Sequence, residues 1–139
     1  MRFVSLLMLL AILGASEASA GQNTPEAQIE ALVKSLQTGK SQNILQKFFA
    51  GSLAAQQKPT ELKAMEGQVK AAFEFYGPPI SYEIVDTKTM GRDLVNIKFI
   101  SKQKDDAPLF WNALFYRRHD QWEPLAVFFF DDPRKAGFL

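Results

Sequence analysis

The chain has 139 residues, no cysteine, one histidine and a formal net charge of +1 from 16 basic and 15 acidic side chains. A charge this close to zero gives no electrostatic case for nucleic acid or an anionic lipid surface. A lone histidine without cysteine argues against the nitrogen and sulfur ligand sets of transition metals.

The first twenty residues read as a secretory signal peptide. Met1-Arg2 is a short basic start, Phe3 to Leu13 an apolar run, and Ala18-Ser19-Ala20 the small-x-small pattern of a cleavage site, which places the cut after Ala20. The apolar run is eleven residues long, against roughly 20 for a membrane-spanning helix. No cysteine follows it to carry a lipid, so the expected product is a periplasmic or secreted protein without a membrane anchor. An exported domain without disulfides fits a bacterial compartment better than a eukaryotic one. Residues 21–139 are long enough for a single domain with a core of its own.

Thr24-Pro25-Glu26 opens a first helix as N-cap, first helical residue and first-turn acid. Ile29, Leu32, Val33 and Leu36 form its apolar stripe, and Gly39 ends it. A second helix begins at Ser41 or Gln42 and carries Ile44, Leu45, Phe48 and Phe49. The pattern leaves open whether it runs through Leu53-Ala54-Ala55 or breaks near Gly51; Pro59 closes the segment. Thr60 is expected to cap a third helix with Leu62, Met65, Val69, Ala72, Phe73 and Tyr76 on one stripe, which Gly77-Pro78-Pro79 stops. The period then changes to alternation. Strands are expected over Ile80–Lys88, Leu94–Ser101, Leu109–Arg118 and Trp122–Phe130, with turns at Gly91-Arg92-Asp93 and His119-Asp120-Gln121. Asp131-Asp132-Pro133 ends the last strand, which bounds an ordered core of about residues 25–130 and leaves a tail that is loose apart from Phe138.

Helices followed by a four-stranded antiparallel meander make an α+β fold with the helices on one sheet face. The third strand has Phe110, Leu114 and Tyr116 on one face and Trp111, Ala113 and Phe115 on the other. The fourth has Leu125, Val127 and Phe129 opposite Trp122, Ala126, Phe128 and Phe130. With both faces apolar, something must cover the second. Either the tail or a helix folds over it, or two protomers pair sheet to sheet through Trp111, Phe115, Trp122, Phe128 and Phe130.

The order of helices at Pro25, Ser41 and Thr60, the Gly77-Pro78-Pro79 break, and the closing hairpin from Phe115 through Arg117-Arg118-His119-Asp120-Gln121-Trp122 to Leu125 resemble the nuclear transport factor 2-like superfold. The resemblance spans about Pro25 to Phe130 and is one of architecture. It implies a curved four-stranded sheet wrapped on helices as a cone, an open end able to hold a small apolar ligand, and dimerisation through the sheet. Enzymes of this fold, such as ketosteroid isomerases, scytalone dehydratases and limonene epoxide hydrolases, work with Asp, His, Tyr or Arg inside the cone. None of their catalytic patterns maps onto this chain residue by residue.

His119 lies in a turn beside Asp120, where side chains meet water. Asp105-Asp106 and Asp131-Asp132 lack the spacing of a calcium loop and read as solvated. No catalytic residue, metal ligand or cofactor is assigned. Polar groups among apolar strand neighbours, Tyr82, Asn96, Asn112, Tyr116 and Arg117, invite a pocket, because a buried amide without partners costs about 1–3 kcal/mol. The candidate lining is Tyr82, Asn96, Asn112 and Tyr116 opposite Met65 and Phe73, with Phe48 and Tyr76 in the same wall. The leading expectation is a non-enzymatic module that binds a small ligand or a protein. The alternatives are an isomerase, dehydratase or hydrolase using Tyr82, Asn112 or Tyr116 as donors and Asp86 as base, and a factor binding a host or envelope protein through its sheet.

Overall fold

A computed structural model of the protein describes residues 24–38 and 43–139. The expected signal peptide and the helix start at Ser41 or Gln42 lie outside the described residues.

Helix α1, Pro25–Gln37, starts where the sequence places it: the Thr24 side chain accepts from the Ala27 amide at 3.2 Å, and Pro25 follows the cap. Its stripe of Ile29, Leu32, Val33 and Leu36 is buried. Two short helices come next, α2 (Ile44–Phe48) and α3 (Leu53–Gln57). The break between them falls at Gly51, whose φ of +77° turns the chain, and Ser52 restarts it by accepting from the Ala55 amide at 3.1 Å. Helix α4, Pro59–Tyr76, begins at Pro59 and not through a Thr60 cap; Lys58 stands before it with no side-chain cap bond. Proline's fixed φ and missing N–H suit that first position.

Strands β1 (Pro79–Met90), β2 (Leu94–Gln103), β3 (Pro108–Arg118) and β4 (Gln121–Phe130) form an antiparallel sheet in the order β1-β2-β3-β4. The β3–β4 hairpin closes through His119 and Asp120, both left-handed at φ 52° and 59°. Two positive-φ residues in a two-residue loop match the twist of the strands. At the other end of the sheet Gly77 has φ 78° and ψ 172°, and a Cβ there would lie 2.9 Å from Lys104 Cβ. Only glycine suits that backbone and that approach.

The core lies between α1–α4 and one sheet face. That face carries Val95, Ile97, Phe99, Ser101 and Gln103 from β2 and Leu109, Trp111, Ala113 and Phe115 from β3. The sequence assigned Trp111 and Phe115 to an exposed interface, and this is corrected: they are 1% and 0% exposed. Both β3 faces are apolar, so alternation alone could not choose between them. On β4 a bulge at Leu125, between the pairs Leu114↔Ala126 and Phe115↔Pro124, shifts the parity. Trp122 therefore packs toward the core, whereas Phe128 and Phe130 stay on the outer face with their partners Asn112 and Phe110. Among the described residues no helix is long and apolar enough to cross a membrane.

Candidate functional site

The space a cone would offer is filled by rings. Phe99 stacks on Trp111 with centroids 5.4 Å apart and planes 9° from parallel, and Phe129 closes on the same indole at 4.9 Å. Phe48 stands edge-on to Phe49 and Phe115 at 5.1 and 6.2 Å. Such edge and offset contacts suit aromatic quadrupoles and pack the centre of the fold around Trp111. The buried polar side chains among the described residues are Ser52, Ser101 and Gln103, none of them titratable.

Two of these form a relay that sequence reading missed. Trp111 Nε1 donates to Ser101 Oγ at 2.8 Å, Ser101 Oγ donates to Gln103 Oε1 at 2.6 Å, and Gln103 Nε2 donates to the Gly77 carbonyl at 2.7 Å. Every member has a partner, as buried polar groups must. The relay joins the middle of the sheet to the α4–β1 junction. Its only sequence signal was parity: Ser101 and Gln103 continue the core-facing alternation of Val95, Ile97 and Phe99.

The six proposed pocket residues divide between two sheet faces. Tyr82, Met65 and Phe73 pack half-buried against the helix-side core, Tyr82 standing edge-on to Phe99 at 6.3 Å. Burial raises the Tyr82 pKa, Glu30 adds to the rise and Lys34 opposes it. Asn96, Asn112 and Tyr116 lie on the outer face. Asn96 Nδ2 donates to Asn112 Oδ1 at 3.3 Å, and Asn112 Nδ2 donates to the Ala136 carbonyl at 2.6 Å. The sheet itself separates the two groups. Asp86 is exposed on β1, opposite Lys98.

What covers the outer face is the tail. Residues 131–139, expected to be loose, fold back over β2 and β3 and bury Ala136 to 4% exposure. Phe138 meets Phe110 edgewise at 5.4 Å, and Lys98 Nζ donates to the Gly137 carbonyl at 2.6 Å. The cover is partial: Phe128 remains 51% exposed on the β4 side, with Leu114, Tyr116 and Ala126 half-buried around it. From Phe128 a groove of about 170 Å³ runs between β4 and the α3–α4 corner, lined by Leu62, Met65 and Leu125 and floored by the core residues Phe49, Ala54 and Val127.

At the hairpin tip Glu123 holds the helical layer. Its carboxylate takes Arg118 Nε at 3.1 Å on both oxygens and Nη2 at 3.0 Å, and accepts from the Leu53 amide at 3.0 Å. Arg118 Nη2 also donates to the Gly51 carbonyl at 3.3 Å. Burial pushes the Glu123 pKa up, but the Arg118 hydrogen bonds, the Leu53 amide and the nearby positive charge together hold it below the ordinary glutamate value. His119 lies at the rim of an adjoining hollow of about 390 Å³ that also touches Gln28, Phe48 and Trp122. Among the described residues no cluster of His, Asp and Glu is arranged to hold a metal ion.

The sequence matches no known protein family and no curated protein. Its architecture has a solved counterpart, a Campylobacter jejuni protein described as an NTF2-like transpeptidase. The match has a TM-score of 0.52 and 16% sequence identity, and covers 74% of this chain and 98% of that one. The chain has the nuclear transport factor 2-like fold, helices first and a four-stranded antiparallel sheet after them.

Proposed function

We propose that this protein is an exported, non-catalytic interaction module that meets a protein partner on the outer face of its sheet, at the patch formed by Leu114, Tyr116, Ala126 and Phe128. The observation that carries this reading is the filled interior. Trp111, Phe99, Phe115 and Phe49 take up the volume in which an enzyme of this fold would hold substrate, and among the described residues no carboxylate, histidine or lysine is buried between them. Enzymatic chemistry needs a positioned titratable group within hydrogen-bond reach of a bound substrate.

The activity in the description of the Campylobacter jejuni protein is not carried over. Acyl transfer runs through a nucleophile with a base beside it. This chain has no cysteine, its one histidine sits in the hairpin turn, and the buried Ser101 hydroxyl is engaged by Trp111 and Gln103. Partner binding asks instead for exposed apolar and aromatic surface, which Phe128 and its neighbours supply. Export is supported by the basic, apolar and small-residue order of residues 1–20.

The test is photo-crosslinking in the producing cell from a benzophenone side chain at position 128, with a matched probe at the exposed Lys63 on α4 as control. Discrete protein adducts from position 128 and none from position 63 are expected. Absence of adducts at 128, together with strong thermal stabilisation by a small hydrophobic molecule, would move the reading to ligand binding. Mass spectrometry of the exported protein should find Gly21 as its first residue.

A further inference from the structure

The tail is held to the sheet in an unusual way. Among the described residues, its backbone hydrogen bonds run within itself: Ala136 N to Asp132 O at 3.3 Å, Gly137 N to Arg134 O at 3.2 Å and Phe138 N to Pro133 O at 2.8 Å. It adds no strand and borrows no ladder. What the sheet offers it is a small set of side chains. Asn112 Nδ2 and Lys98 Nζ each donate at 2.6 Å, to the successive carbonyls of Ala136 and Gly137. Phe110 receives the ring of Phe138, over which Lys98 Nζ stands 5.6 Å from the centroid. Asn96 fixes the amide of Asn112 by donating to its oxygen, leaving the nitrogen turned to the tail. The groove is also larger than its occupant: about 450 Å³ stays open beside the Phe110–Phe138 contact, with Val85 and Ile100 in its wall.

We propose that this is a peptide-binding groove, occupied in cis by the chain's own C-terminal tail, that takes in exchange a partner segment of the same chemistry: two successive main-chain carbonyls followed by an aromatic residue. The bound tail supplies the evidence for the occupant. A segment that adds no strand can leave without stranding ladder partners on the sheet, and the two side-chain donors it leaves behind, Asn112 and Lys98, can then take the carbonyls of another segment. The groove lies under the tail and borders the Leu114–Phe128 patch of the proposed function at the Asn112↔Phe128 pair; the two rest on different side chains, Lys98, Phe110 and Asn112 against Leu114 and Phe128, so they can fail separately.

The test uses the full chain carrying Phe138→Ala, which weakens the tail and leaves the groove intact. A fluorescent synthetic peptide of the sequence of residues 131–139 is titrated into it and followed by anisotropy. Saturable binding is expected, at least tenfold tighter than to the wild-type chain, whose own tail competes at an effective concentration on the order of millimolar. Adding Lys98→Met or Asn112→Leu should weaken it at least fivefold, and a peptide with alanine in place of the phenylalanine should not bind. Should Asn112→Leu lose its native circular dichroism, the alanine peptide and Lys98→Met carry the same comparison. The proposal is overturned if the peptide fails to bind, binds both chains equally, or binds regardless of Lys98 and Asn112.

Discussion

The indole of Trp111 donates to the hydroxyl of Ser101 at 2.8 Å, inside a core where both side chains are 1% exposed. That bond is the first link of the relay through Gln103 to the Gly77 carbonyl, and it fixes the ring that fills the centre of the fold. Ser101→Ala removes both the acceptor for Trp111 and the donor for Gln103. A buried group left unsatisfied costs about 1–3 kcal/mol, so urea unfolding of Ser101→Ala should show a loss of that order, with tryptophan emission altered in the folded state.

The two turning glycines should differ. Gly51 has φ +77° with nothing within 4 Å of an added Cβ, so Gly51→Ala meets backbone strain alone, about 1–2 kcal/mol. Gly77 combines φ 78° and ψ 172° with a Cβ position 2.9 Å from Lys104. That backbone region is essentially restricted to glycine and costs about 1–3 kcal/mol before any clash. Gly77→Ala should therefore lower Tm by clearly more than Gly51→Ala in thermal unfolding.

The Glu123 carboxyl supplies a pH signature. Its folded pKa lies below the ordinary glutamate value, since the Arg118 and Leu53 contacts outweigh burial. A depressed carboxyl contributes stability that is fully present above the unfolded pKa, about 4.3, and is lost as pH falls through the lowered folded value. Glu123→Gln should flatten this acid limb when stability is measured from pH 7 down to pH 3. Lost helix contacts at Leu53 should also cost some stability at neutral pH.

Core and outer face separate by substitution. Trp111→Ala should cost about 3–5 kcal/mol, the range for emptying a large aromatic site. Phe128→Ala, at a side chain 51% exposed, should cost less than about 1 kcal/mol. Chemical denaturation of the two variants checks the facing of β3 and β4 directly.

That facing marks the limit of what the sequence could reveal. The stripe of α1 and its Thr24-Pro25 start were readable because period and cap agree, and the strands were readable from alternation bounded by turn residues. Which β3 face is inside was not, because large apolar side chains stand on both, Trp111-Ala113-Phe115 on one and Phe110-Leu114-Tyr116 around a single polar Asn112 on the other. The Leu125 bulge then reversed the assignment of Trp122, since a bulge shifts parity without a change in composition. The tail could be read as loose or as the cover of the second face, because Asp131-Asp132-Pro133 ends a strand as firmly as it starts a fold-back; it is the cover. Of the pocket candidates, Asn112 stands neither in a pocket nor in the core, and its partners include a segment that alternation along β3 does not reveal. It finds them in Asn96 and the tail, on the face away from Tyr82, Met65 and Phe73.

Trp111, Phe99 and Phe115 fill the interior between helices and sheet, and the proposed partner site lies on the outer face. The Trp111 Nε1–H resonance reports on that interior, because its proton is buried and bonded to Ser101. Titrating the labelled protein with a panel of small hydrophobic molecules while recording this resonance is the most direct test. The resonance should stay fixed while signals from Phe110, Leu114 and Phe128 respond to whatever binds; a saturable shift of the Trp111 indole, with the outer face unmoved, would overturn the outer-face reading.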